Sequence, residues 1–127
     1  MSKKKLFSKL VRKWIGKVWV GWWRIDIIYL TNKEYAKAEG YKNKHARCSV
    51  ATCHTTWNYL EAVINVNKDA LKALSDERIE YCVVHELMHI LLNEMREDGT
   101  EHEERVATLL ARSFILCNEV KNETKRS

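Results

Sequence analysis

The 127-residue chain has the length of one compact domain, and its 46% hydrophobic and 31% charged residues are a globular balance that argues against disorder except at the ends and needs no disulfide staples. Its formal charge of +5 is lopsided: Lys3, Lys4, Lys5, Lys9, Arg12, Lys13 and Lys17 put seven basic residues and no acid in the first 17 positions, leaving −2 on the remainder. Those charges interrupt every apolar stretch near the N-terminus, so neither a signal peptide nor a transmembrane segment is expected.

Residues 1–18 read as a basic amphipathic helix. From Lys5 to Val18, Leu6, Leu10, Trp14 and Val18 recur four apart with Phe7, Val11 and Ile15 alongside and lysines behind, the spacing of one apolar face. From Trp19 to Leu30 the period changes to two, with Trp23, Ile25, Ile27 and Tyr29 on one side and Arg24 and Asp26 on the other, which predicts a strand. Thr31 to His45 is polar, contains Gly40, and reads as a loop with a helical turn around Lys33–Ala38.

Ala46–Trp57 and Tyr59–Asn67 read as a second and third strand, joined as a hairpin near Trp57-Asn58. Asn67 then caps a short helical piece, and Ser75, followed by Asp76 and Glu77, caps a longer helix to about Met95. Between Ile79 and Leu92 that helix is apolar on nearly every side, the mark of a buried helix. Gly99 ends the connection, and Thr100-Glu101-His102-Glu103 has capping-box spacing, starting a helix to about Leu116. Residues 119–127 form a polar tail expected to fray. With no proline, no repeat and only four glycines, residues 1–127 are expected to form a single domain of α+β class: an N-terminal helix, a three-stranded sheet, an active-site helix and a following ligand-bearing helix.

Cys48, Cys53, Cys82 and Cys117 form no C-x-x-C pair, so no zinc knuckle is expected and free thiols in a cytoplasmic, reducing setting are the default. The chemistry lies in the buried helix, which carries His85-Glu86-Leu87-Met88-His89. Two histidines and a glutamate are costly there without a partner. Four-residue spacing turns both imidazoles to one side, where they can share a metal, and sets Glu86 beside them to reach a metal-bound water. Zinc needs a third protein ligand. The positions a metzincin would use hold Leu92 and Met95, so that class is excluded, and His102, Glu103 and Glu104 are the candidates. If the capping box occupies Glu103, Glu104 is left free, heading the run Ala107, Thr108, Ala111, Ile115. A buried stripe of Val106, Leu110, Phe114 and Cys117 would instead favour Glu103.

The segments His85–His89 and Glu104–Ala111 resemble the H-E-x-x-H and E-x-x-A-N-x-F-A pattern of small ImmA/IrrE-type metallopeptidases, with Thr108 in place of the asparagine and Leu110 in place of the phenylalanine. Ile64-Asn65-Val66-Asn67 leading into Val84-His85-Glu86-Leu87 is similar to small phage and prophage metallopeptidases of the minimal gluzincin architecture, and more loosely to SprT-like proteases. Coverage runs from Ala46 to Phe114. The resemblance implies a zincin-like fold and a zinc-dependent peptidase. On this reading His85, His89 and Glu104 hold Zn²⁺ and Glu86 is the general base acting on a protein or peptide substrate. His54, Tyr59, Tyr81 and His102 are unranked candidates for oxyanion donor, and the hairpin edge from His54 to Glu61 could hold an extended peptide. The alternative is a non-catalytic, zinc-stabilised binding protein whose basic residues 3–17, with Trp14, Trp19, Trp22 and Trp23 nearby, contact nucleic acid.

Overall fold

A computed structural model describes residues 1–18, 20–40, 50–56, 59–92 and 100–126, in the last stretch with side chains from 104 to 121. Its elements run α1 (Lys3–Ile15), β1 (Arg24–Leu30), α2 (Asn32–Glu39), β2 (Ala51–Thr56), β3 (Glu61–Asn67), α3 (Lys68–Leu71), α4 (Asp76–Leu91) and α5 (Thr100–Arg126). This is the α+β order that the periodicities predict.

The sheet has order β1-β3-β2. β2 and β3 form the expected antiparallel pair, with Cys53 opposite Ile64. β1 joins the other side of β3 in parallel, with Ile27 opposite Ile64, so both β1 and β2 are edge strands among the described residues. Alternation sorts the faces: Ala51, Cys53, Ala62, Ile64 and Val66 are buried on the side that meets the helical core, while Thr52, His54 and Asn65 take the other face. The core continues through Phe7, Val11 and Trp14 of α1 and Ile79, Val83, Val84, Leu87, Met88 and Ile90 of α4. α4 packs against α1, α5 and β2, which explains its nearly all-round apolar sequence.

Several boundaries differ from the sequence reading for local reasons. α1 starts at Lys3 because the Ser2 hydroxyl accepts from the Lys5 amide, and it stops before Gly16. The first strand starts at Arg24 rather than Trp19, since residues 21–23 form a turn and bend that leaves Trp22 88% exposed. The helical turn expected around Lys33–Ala38 is present and extends to the full α2, because Thr31 and Glu34 close a reciprocal capping box; Gly40 ends α2 at φ 83°, a left-handed conformation that glycine adopts without penalty. Residues 41–49, the Trp57-Asn58 connection, residues 93–99 with Gly99, and the Thr100 and Glu103 side chains lie outside the described residues. The Asn67 and Ser75 caps are present, with the Asn67 side chain accepting from Asp69 and Ala70 amides and the Ser75 hydroxyl from Arg78.

α5 is corrected most. It continues to Arg126 instead of ending near Leu116 and fraying from 119. Nothing from residue 100 onward is glycine or proline, so no breaker stops it, and Lys17 Nζ ties its Asn118 at 3.0 Å. Its buried residues are Ala107 and Ala111, whereas Val106, Leu110 and Phe114 are only half-buried and Cys117 is exposed.

Candidate metal centre

Ser75 nucleates α4, and apolar contacts on nearly every side hold it in the middle of the core. His85 and His89, one turn apart, stand on the side of α4 that faces α5, with ring centroids 5.0 Å apart and planes at 72°. α5 comes close because its facing residues Ala107 and Ala111 are small and fully buried. Glu104 lies on that same face, three and seven residues before them. The helix packing therefore carries a carboxylate from one helix to the imidazole pair of the other.

The three side chains close a triangle. His89 Nε2 lies 2.8 Å from Glu104 Oε1, His85 Nε2 lies 3.2 Å from Glu104 Oε2, and the two Nε2 atoms are 3.3 Å apart. Tetrahedral zinc, bonded at about 2.0–2.1 Å to imidazole nitrogen and carboxylate oxygen, needs donor atoms roughly 3.3 Å apart. The Nε2–Nε2 edge meets that value, and each imidazole nitrogen reaches a different oxygen of the Glu104 carboxylate. His85, His89 and Glu104 thus fit a metal ion in donor type and spacing. His85 Nδ1 is buried with no hydrogen-bond partner among the described residues, so Nε2 is the nitrogen that His85 presents.

Electrostatics favour the same arrangement. Hydrogen bonds from His85 and then His89 hold the Glu104 carboxyl far below the usual carboxylate range, against the opposing effect of its partial burial. Glu104 is therefore an anion at neutral pH, as a ligand must be. The histidine side chains are largely enclosed while that of Glu104 is half exposed, so the centre opens to solvent past α5. Glu86, between the two histidines in sequence, is 6% exposed.

The other sequence candidates separate clearly. His54 stands on the far sheet face, where its Nε2 lies 3.0 Å from Glu39 Oε1, so it is not at the triad. Tyr59 is exposed at the end of the hairpin. The His102 and Glu103 side chains lie outside the described residues. Tyr81 packs beside one of the three: its ring lies 5.9 Å from that of His85, and the Arg78 guanidinium covers it at 4.8 Å. Four-residue spacing on α4 is the signal that could have placed Tyr81 beside His85.

Sequence reasoning missed a second polar cluster. Glu39, at the end of α2, accepts hydrogen bonds from Thr52 Oγ1, from His54 Nε2 and from Asn65 Nδ2 at 3.0 Å. Burial raises the Glu39 carboxyl, but the three donors outweigh it and bring it below the ordinary range. The cluster pins α2 to the sheet, away from the triad.

The basic N-terminal residues are largely engaged with the chain itself. Lys3 pairs with Asp76 at 2.9 Å and Lys13 with Glu80 at 3.0 Å, Lys17 holds Asn118, and Lys4 lies over the Tyr29 ring. Trp14 is buried and donates Nε1–H to Glu80 at 2.9 Å. These contacts give nucleic-acid binding no support. No helix among the described residues is long and apolar enough to cross a membrane.

Compared with known proteins, residues 4–112 match the model of one family, described as "Putative phage metallopeptidase". No curated protein and no solved structure matches the chain.

Proposed function

Since the chain belongs to this phage metallopeptidase family, we propose that it is a zinc-dependent peptidase in which His85, His89 and Glu104 hold the ion and Glu86 is the general base. The observation that carries this reading is the convergence of two Nε2 atoms and one carboxylate, drawn from two helices, at distances that one metal ion can span. Two neutral imidazoles and one carboxylate leave a divalent ion with net charge +1. When bound, such an ion supplies Lewis acidity toward a carbonyl and lowers the pKa of water toward about 7.

The chain's own residues do the rest. Glu86 is held on the same buried turn as the ligands and has no ligand duty, so it takes the proton from the attacking water and returns it to the leaving amine. Tyr81, beside His85, is the described side chain best placed to donate to a developing oxyanion. The match over 4–112 takes in α1 as well as the site helices, which supports one zincin-like domain over 1–127. Free thiols at Cys53, Cys82 and Cys117 suit a cytoplasmic setting.

Metal analysis and hydrolysis of a denatured-protein substrate, run on wild type and Glu86→Gln, test the reading. Wild type should carry one zinc per chain and cleave. Glu86→Gln should keep the zinc and lose activity by roughly 10²–10⁴-fold, the range for general-base catalysis. Undiminished cleavage would remove Glu86 from the mechanism, and a metal-free wild type whose His89→Ala variant melts normally would remove the site.

A further inference from the structure

A histidine that ligates a metal through one ring nitrogen is ordinarily held by the hydrogen bond that its other nitrogen donates, which fixes the ring's tautomer and its rotation. His85 has no such tether. Its Nε2 lies 3.2 Å from Glu104 Oε2, and its Nδ1 is buried with no partner among the described residues. The ring stands instead between two others on one face of α4. His89, one turn on, lies 5.0 Å away at 72°, and Tyr81, one turn back, lies 5.9 Å away at 42°. Side chains of a helix lean toward its N-terminus, so the His85 ring rests over Tyr81. Tyr81 is covered in its turn: the Arg78 guanidinium sits 4.8 Å from its centroid, and Ile115 and Leu116 of α5 line the same groove.

We propose that Tyr81 is a positioning residue of the metal centre, its ring orienting His85 by contact, and that Arg78 acts through it by holding that ring in place. The inference rests on the reading of His85, His89 and Glu104 as metal ligands. The torsion of an imidazole about its Cβ–Cγ bond has broad wells, so the side chain alone does not fix where Nε2 lies. Metal–ligand distances tolerate only about 0.2 Å, so neighbours must fix it. Tyr81 bounds the rotation of the His85 ring on one side as His89 does on the other. Arg78, Tyr81 and His85 fall at steps of three and four, which puts guanidinium, ring and ligand on one stripe of α4. A guanidinium lies against an aromatic face by preference, and Arg78, itself exposed, closes the outer end of the stack. The role belongs to the Tyr81 ring and is separate from any donation by its hydroxyl.

Zinc affinity of the full chain, measured by competition with a chromophoric chelator, tests the proposal together with the visible spectrum of the cobalt(II)-loaded protein. The spectrum reports ligand geometry and needs no turnover. Tyr81→Phe should bind zinc within about twofold of wild type, because the ring remains, whereas Tyr81→Leu should bind it at least about tenfold more weakly, the lower end of what loss of an outer-shell partner costs a metal site. The cobalt bands should shift in Tyr81→Leu and stay in place in Tyr81→Phe. Arg78→Ala should weaken zinc binding about threefold in the wild-type chain and no further in Tyr81→Leu, since it acts through the ring. Melting curves of the metal-free variants separate loss of positioning from loss of fold, and the exposed Arg78 supplies a variant that leaves the core intact. Unchanged zinc affinity in Tyr81→Leu or in Arg78→Ala, an equal loss in Tyr81→Phe, or additive effects in the double variant would each overturn the proposal. A wild type that takes up no zinc would instead refute the metal centre itself, and the proposal with it.

Discussion

Replacing Ala107 by leucine tests whether close approach of α4 and α5 builds the metal centre. Ala107 is fully buried, so three added carbons have no free space and must push the helices apart. Overpacking of this kind costs about 1–3 kcal/mol, which for a domain of this size lowers Tm by roughly 4–12 °C. The larger effect is at the ligands. Glu104 sits one turn away, and an outward shift of about 1 Å would stretch edges now at 2.8 and 3.2 Å, whereas metal–ligand bonds tolerate about 0.2 Å. If affinity falls about 100-fold, zinc at a concentration that stabilises wild type by about 2.7 kcal/mol stabilises the variant by only about 0.4 kcal/mol. Melting curves with and without zinc measure both terms, and Arg105→Leu on the exposed side of α5 is the control. A variant that melts low but gains as much from zinc as wild type would refute the link between packing and the site.

Three further substitutions probe separate contacts. Glu39→Ala removes the acceptor shared by Thr52, His54 and Asn65, a loss of about 2–4 kcal/mol at pH 7; because the folded carboxyl lies below its unfolded value, the wild-type advantage is complete above about pH 5 and shrinks as pH falls through the folded value, which urea midpoints at pH 7 and pH 3 would follow. Glu80→Ala breaks the Lys13 pair and leaves the buried Trp14 N–H without its acceptor, so it should cost about 1–3 kcal/mol even in 1 M salt, whereas Lys3→Ala, which removes a more exposed pair, should cost under about 1 kcal/mol and less in salt. Tyr81→Phe should keep zinc and fold normally but lower kcat by about 10²-fold if the hydroxyl donates to an oxyanion; an unchanged kcat would return that role to another residue.

What the sequence made legible, and what it hid, follows from the range of the interactions. Ser75, Asn67 and the four-residue step from His85 to His89 are local signals, and each element they predict is present. The parallel pairing of β1 with β3 is long-range, and no residue in either strand announces it. The capping box at Thr31 and Glu34 was written in the sequence and agrees with the helical turn expected around Lys33–Ala38, but the mixed charges and Gly40 made the rest of the stretch resemble a loop. α5 offers two readings, a face of small residues with Glu104 and a face of large apolar ones, and the structure decides between them. Hydrophobicity alone favours Val106, Leu110, Phe114 and Cys117 as the buried face, yet Ala107 and Ala111 are the residues buried. A helix that must bring a carboxylate within 3.2 Å of a neighbour's imidazoles needs small side chains between the backbones, so its most buried face is not its most hydrophobic one. The large apolar residues are then displaced to the flanks and to the outside of α5. Leu109, Leu116 and Val120 are left exposed there.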